Sequence, residues 1–133
     1  MLDVARKRAD QLSLNVSFLL ADAEALPFRG EIFDTVASSL STCTFPNPIA
    51  VLENMARVCR TEGRVLLLEH GRSDCERLGR WQDRHAEKFA LPFGCHWNRE
   101  PLDLVRKAGL KMNAAQRFFF GIFHQIEAAP GSR

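Results

Sequence analysis

The side chains with the richest chemistry in this sequence are its four cysteines (43, 59, 75, 95) and four histidines (70, 85, 96, 124). Thiolates and neutral imidazoles bind soft metals, and they serve as nucleophile and base. Spacing argues against a metal here. There is no Cys-x-x-Cys pair and no Cys/His run at zinc spacing. Only Cys95 and His96 are neighbours, and two adjacent residues make no metal site. The pattern predicts no metal and no disulfides, but reduced, half-buried thiols in an intracellular protein. Small hydroxyl residues gather in Ser38-Ser39-Leu40-Ser41-Thr42-Cys43-Thr44. They suit close approach of a ligand, and equally an ordinary loop at a strand end. Asp22 opens the stretch Asp22-Ala23-Glu24-Ala25-Leu26-Pro27-Phe28. A carboxylate at a strand end can accept from an exocyclic amine, or it can cap its own loop.

Short elements of alternating type must position these groups. Residues 2–12 read as a helix, with Leu2, Ala5, Ala9 and Leu12 on one face and Arg6, Lys7 and Arg8 opposite. Residues 16–20 read as a short strand, 22–30 as a loop broken by Pro27 and Gly30, and 33–40 as a second strand. Asn47 and Pro48 make an N-cap and first helical position. Leu52, Met55, Ala56 and Cys59 then form one apolar stripe, with Gly63 as the expected stop. The apolar run in Arg64–Glu69 predicts a strand covered on both faces. Ser73-Asp74-Cys75-Glu76 matches a capping box for a helix to about Phe89, with Leu78, Trp81, His85 and Phe89 on one face. Asn98 is the expected cap of a further helix that Gly109 stops. Residues 111–119 and 122–128 read as a hairpin around Gly121.

Alternating helices and strands predict a single α/β domain over residues 1–133. Length and composition agree: 133 residues, 46% hydrophobic and 26% charged. A net charge of +2 argues against a nucleic-acid partner. No apolar run is long enough to span a bilayer, and the N-terminal residues show no secretory signal.

Three segments carry a more specific resemblance. They are Asp22–Phe28 with Ile32-Phe33-Asp34-Thr35-Val36, then Val51–Arg60 leading into Leu66-Leu67-Leu68-Glu69-His70, then Gly94-Cys95-His96-Trp97-Asn98-Arg99-Glu100. Together they resemble the C-terminal two thirds of a class I S-adenosylmethionine (SAM)-dependent methyltransferase. The similarity is to the type 11 group, with the ubiquinone-biosynthesis methyltransferases and thiol methylators. The resemblance implies a Rossmann-like three-layer α/β/α fold with a mostly parallel sheet and a C-terminal antiparallel hairpin. It implies SAM as cofactor, contacted by Asp22, Ala23, Leu26, Ser39 and Leu40, with Asp22 accepting from the adenine amine. It implies a small, lipophilic substrate near Thr42, Cys43, His96 and Trp97. Methyl transfer is an in-line displacement that depends largely on orientation. His70 is the candidate base where an acceptor must lose a proton. The cytoplasm is the expected compartment, with the mitochondrion as the alternative.

The family's glycine-rich SAM loop is missing from the sequence. The glycines stand at 30, 63, 71, 79, 94, 109, 121 and 131, and no two form Gly-x-Gly. The family's first two strands are expected to be absent as well. Their absence predicts an exposed sheet edge, and with it self-association or a rearranged sheet. A non-catalytic remnant that oligomerises or binds a partner is the alternative to an enzyme.

Overall fold

The computed structural model describes residues 2–131. In chain order the elements are α1 (Leu2–Gln11), a 3-10 turn (Ala23–Ala25), β1 (Phe33–Ser39), α2 (Pro48–Val58), β2 (Cys59–His70), α3 (Glu76–Phe93), α4 (Pro101–Lys107), β3 (Lys111–Phe118) and β4 (Phe123–Ala129). The strands form one mixed sheet in the order β1-β2-β4-β3. β1 and β2 are parallel and joined by α2, as a βαβ unit requires. β4 runs antiparallel to both β2 and β3. Two of the three pairings are therefore antiparallel, so the parallel share is smaller than the resemblance implies.

The core lies on one face of that sheet. Val65 and Leu67 of β2 point inward beside Ile126 and Ala128 of β4. Val51, Leu52 and Met55 of α2 and Val105 of α4 close over them. The apolar stripe of α2 explains this docking, and Asn47 starts the helix by accepting from Ala50 N at 3.2 Å. The other face is open. Leu68 stays 45% exposed, and a groove of about 450 Å³ runs over Ala37, Ser39, Leu66 and Leu68. The strand around Arg64–Glu69 is thus covered on one face at these positions, against expectation.

Four local expectations need correction. Residues 16–20 form no strand, and Leu20 is 87% exposed. A strand needs a neighbour to pair its backbone, and none lies beside this run among the described residues. Gly63 stops no helix; α2 ends at Val58 and β2 begins at once. Gly63 sits where β2 loops out of register with β1 between Phe33 and Thr35. There a Cβ would come within 2.6 Å of Cys59 Sγ and 2.8 Å of the Asp34 carbonyl. Ser73 is not the cap of α3. The capping position is Cys75, whose side chain makes no capping hydrogen bond, while Ser73 Oγ accepts from Cys75 N at 3.1 Å. The helix then runs on to Phe93, where Gly94 ends it at φ +62°. Asn98 does not cap α4, which begins after Glu100; its amide donates to Asp83 Oδ1 at 3.1 Å.

β1 is an edge strand of the sheet described and borders the open face. Unpaired edges beside apolar surface recruit other chains. Produced by itself, this 133-residue chain is expected to associate. Light scattering coupled to size exclusion should give a mass above the 15.0 kDa of one copy. A sharp monomer peak that persists at high concentration would contradict this.

Candidate functional site

Leu40 sets the geometry at the carboxyl end of β1. Its φ of +51° is unfavourable for a residue with a Cβ. The turn is held by Leu40 N donating to Leu68 O at 2.8 Å. It aims the next two amides at Glu69, the inward-facing residue two past Leu67 on β2. Glu69 is completely buried. Its carboxylate accepts from Ser38 Oγ at 2.7 Å, Ser41 N at 2.9 Å and Thr42 N at 3.1 Å. Arg99 holds the same loop by its carbonyls. Its guanidinium donates to Thr42 O at 2.5 Å and to Phe45 O at 2.8 Å. A carboxylate on the amides and a guanidinium on the carbonyls leave the loop little freedom.

That loop presents Cys43 to two groups from elsewhere. One ligand atom each from Cys43, His70 and Cys95 lies within 4.8 Å of the others. His70 ends β2, and its Nε2 is 3.5 Å from Cys95 Sγ. Cys95 follows the Gly94 turn, and the next amide, His96 N, donates to Cys43 O at 2.9 Å. Burial pushes the Cys43 thiol up to about 12, and neighbouring Cys95 and Glu69 push the same way. Cys43 is thus a protonated thiol at neutral pH, no nucleophile by itself. Burial holds His70 below its ordinary value, against the pull of Glu69. His70 is therefore neutral near pH 7 and able to accept a proton.

His70 and Cys95 also form one side of a cavity of about 410 Å³. Its other walls are Leu78, Trp81, Phe89 and Phe93 of α3, with Trp97 and Ile122. Phe89 stacks on Trp97 at 3.9 Å between ring centroids, and Trp81 lies 5.3 Å from Trp97. Much of the apolar face of α3 is this wall. The helix is anchored by buried Gln82, which accepts from Ser73 N at 2.7 Å and donates to Gly71 O at 3.1 Å. Trp97 is fixed in turn by its indole N–H donating to Gln82 O at 3.1 Å. A larger depression of about 1120 Å³ lies near Glu31, Glu62 and Lys111, and no cysteine or histidine lines it.

The Asp22–Phe28 segment is fastened to α2. Asn54 donates to Glu24 O at 2.6 Å, and Glu24 Oε1 accepts from Asn47 N at 2.9 Å. Arg57 donates to Leu26 O at 2.8 Å and Phe28 O at 2.6 Å. Two segments that carry the family resemblance therefore hold one another. Asp22 caps the 3-10 turn by accepting from Glu24 N at 2.9 Å, and its side is open to solvent.

Of the residues singled out in sequence, the structure brings His70, Cys43, Thr42 and Trp97 into one region. Cys43 and Thr42 are buried side chains of the loop itself, and neither lines the cavity. Trp97 and His70 line the cavity, while His96 is exposed and does not. Asp22, Ala23 and Leu26 sit on the segment held by α2, and Ser39 and Leu40 end β1. Sequence reasoning set Cys95 aside as a mere neighbour of His96 and passed over Glu69, Arg99 and Gln82. The available signal for Glu69 was a lone acid closing an apolar strand. Arg99 and Gln82 act through backbone partners, which leave no pattern in sequence.

Comparison with known proteins bears on what this region belongs to. Residues 1–67 match the family described as methyltransferase domain. The mitochondrial methyltransferase OMS1 of Saccharomyces cerevisiae is 27% identical over 89 residues, covering 67% of this chain and 19% of that protein. The ubiquinone/menaquinone biosynthesis C-methyltransferase UbiE of Allorhizobium ampelinum is 34% identical over 96 residues, covering 71% of this chain and 37% of that protein. The chain thus spans between about a fifth and two fifths of these relatives. Among solved structures, geranyl diphosphate C-methyltransferase of Streptomyces coelicolor superposes with a TM-score of 0.74 at 14% identity, over 96% of this chain and 60% of that one. The [4+2]-cyclase SpnF superposes with a TM-score of 0.75 at 16% identity, over 98% and 62%. One fold therefore houses methyl transfer and a cyclisation, so fold alone does not assign a reaction. No helix among the described residues is long and apolar enough to cross a membrane. The family match over the first half of the sequence and the shared Rossmann-like architecture give one conclusion: this chain belongs to the methyltransferase domain family.

Proposed function

We propose that this chain forms the acceptor side of a SAM-dependent methyltransferase acting on a small, lipophilic molecule. The observation that carries this reading is the aromatic cavity beside His70, at the carboxyl end of β2. Open α/β sheets bind ligands outside the carboxyl ends of their strands. An apolar, aromatic lining with one or two polar groups suits a lipophilic acceptor.

The residues present fit part of SAM. Asp22 is exposed, and one of its oxygens accepts from Glu24 N; the other could accept from an exocyclic amine such as that of adenine. Ala23 and Leu26 flank it, and Ser39 and Leu40 end β1. The methionine end finds no Gly-x-Gly loop in this sequence. Bound SAM would supply an activated methyl group. The chain's own residues would orient the acceptor between Trp97 and α3, exclude water from it, and take its proton at His70 where needed. Thr42 and Cys43 do not line that cavity; Cys43 would back its wall behind His70 and Cys95.

A second reading is a non-catalytic module that oligomerises or binds a partner. The open sheet face and the β1 edge favour it. Calorimetric titration with SAM and S-adenosylhomocysteine separates the two. The first expects micromolar binding, weakened roughly tenfold by Asp22→Ala through loss of a charge-assisted hydrogen bond. No binding at millimolar ligand, with circular dichroism showing a folded chain, would overturn it in favour of the second.

A further inference from the structure

We propose that Cys43, His70 and Cys95 bind Zn(II), with the fourth coordination position open to the aromatic cavity. Zinc bound by thiolates and imidazole is tetrahedral, with Zn–S near ~2.3 Å and Zn–N near ~2.0–2.1 Å. Those lengths give tetrahedron edges of about 3.6 Å between sulfur and nitrogen and about 3.8 Å between sulfurs. The His70 Nε2 to Cys95 Sγ distance of 3.5 Å already matches one edge. The other two atom pairs, at no more than 4.8 Å, need to close by at most about 1.0 Å between the sulfurs and about 1.2 Å between Cys43 and His70.

The ligands are positioned by rigid neighbours rather than meeting by chance. Cys43 rides on the loop clamped by Glu69 and Arg99. His70 ends a strand paired on both sides. Cys95 is tied to Cys43 by the adjacent His96 amide on Cys43 O. Such preorganisation is what a metal site requires. Two thiolates and a dication sum to zero charge, which suits a cluster whose Cys43 is 2% exposed. Two sulfurs and an imidazole select zinc over magnesium or calcium, which take oxygen ligands. Three protein ligands with an open position is the arrangement of catalytic rather than structural zinc. His70 and Cys95 both face the cavity, so the open position would face an acceptor held there. With metal bound, His70 would be a ligand rather than a base, and the metal would lower the pKa of an acceptor at the open position, whose proton would pass to solvent. That last role rests on the proposed methyl transfer; the site itself does not.

The test uses the full chain, reduced and freed of metal, with Zn(II) alone as titrant and Co(II) as a coloured substitute. One equivalent is expected to bind at micromolar strength or tighter, and cobalt is expected to show thiolate charge-transfer absorption. Cys43→Ser, Cys95→Ser and His70→Ala should each weaken binding by more than about a hundredfold. Cys75→Ser, at an exposed cysteine outside the cluster, should leave it unchanged. Should a variant fail to fold, alkylation of the wild-type chain decides. Zinc should slow modification of Cys95 and spare the rate at Cys75. Absence of stoichiometric binding, binding unaffected by the variants, or alkylation of Cys95 indifferent to zinc would overturn the site. No SAM enters these measurements, so failure of the methyltransferase reading leaves them intact.

Discussion

Glu69→Ala is expected to lower the unfolding free energy by about 3–5 kcal/mol, the range for breaking a buried charge-centred network. Glu69 is fully buried, and its three donors come from Ser38, Ser41 and Thr42. Removing the carboxylate strands two amides and a hydroxyl around a new cavity, and each buried donor without a partner costs about 1–3 kcal/mol. Glu69→Gln keeps one acceptor oxygen but turns an amide NH₂ toward the remaining donors, so about 2 kcal/mol is expected. The loss has a functional side. The loop no longer holds Cys43 near His70 and Cys95, so any ligand using that cluster should bind more weakly in Glu69→Gln even where the chain stays folded. Urea unfolding checks the first part. A Glu69→Ala midpoint indistinguishable from wild type, with the same slope, would show that the clamp contributes little.

Acidification from pH 6.5 to about 4 is expected to remove roughly 3 kcal/mol of stability through His124. This side chain is fully buried on β4, and among the described residues neither ring nitrogen has a partner at good hydrogen-bond geometry. Burial pushes its pKa down to about 4, and Arg117 adds to the effect; His70 acts the same way, while the Gly121 backbone and Asp74 oppose it. Glu100 Oε1 is 3.8 Å from Nδ1, beyond a hydrogen bond and engaged by Arg117 at 3.1 Å. The sign follows from which state takes the proton first. The unfolded chain does so near 6.5, the folded chain only near 4. The stabilising difference is therefore complete above pH 6.5 and is lost as pH falls toward 4. His70, also held low by burial, works in the same direction. Asp83, held below its ordinary value first by Arg72 and then by Asn98, loses its contribution only at lower pH. His124→Leu should flatten most of the loss between pH 6.5 and 4 and be neutral or stabilising at pH 7, since two nitrogens without a partner at good geometry leave the core. Urea midpoints of both chains across that range, in the presence of chelator, measure it. An acid loss as steep in His124→Leu as in wild type would assign it elsewhere.

The family affiliation was legible because it rests on contiguous segments. Asp22–Phe28 and Val51–Arg60 each stand in a few neighbouring residues within the matched span 1–67, and they prove to be fastened through Asn54 and Arg57; Gly94–Glu100 lies outside that span. Local physics was equally readable where one turn of chain contains the whole signal. Asn47 before Pro48 starts α2, the apolar stripe of α2 finds the core, and Gly121 marks the hairpin between β3 and β4. What failed was anything that needs a neighbour. The run at 16–20 has the composition of a strand, but pairing is made by another strand's backbone. Gly63 looked like a helix stop, and only the loop in register between β1 and β2 reveals the close approach it permits.

The sequence by itself determined the α/β alternation, the ends of its clearest elements and the family, because periodicity, capping and contiguous motifs are local. Only the tertiary structure decided that Glu69 faces inward to clamp a loop two residues past β1, that α3 lends its aromatic face to a cavity, and that Cys43, His70 and Cys95 meet. Those three residues are far apart along the chain. Their meeting depends on strand register and on where loops are pinned, and both are set by hydrogen bonds between distant segments.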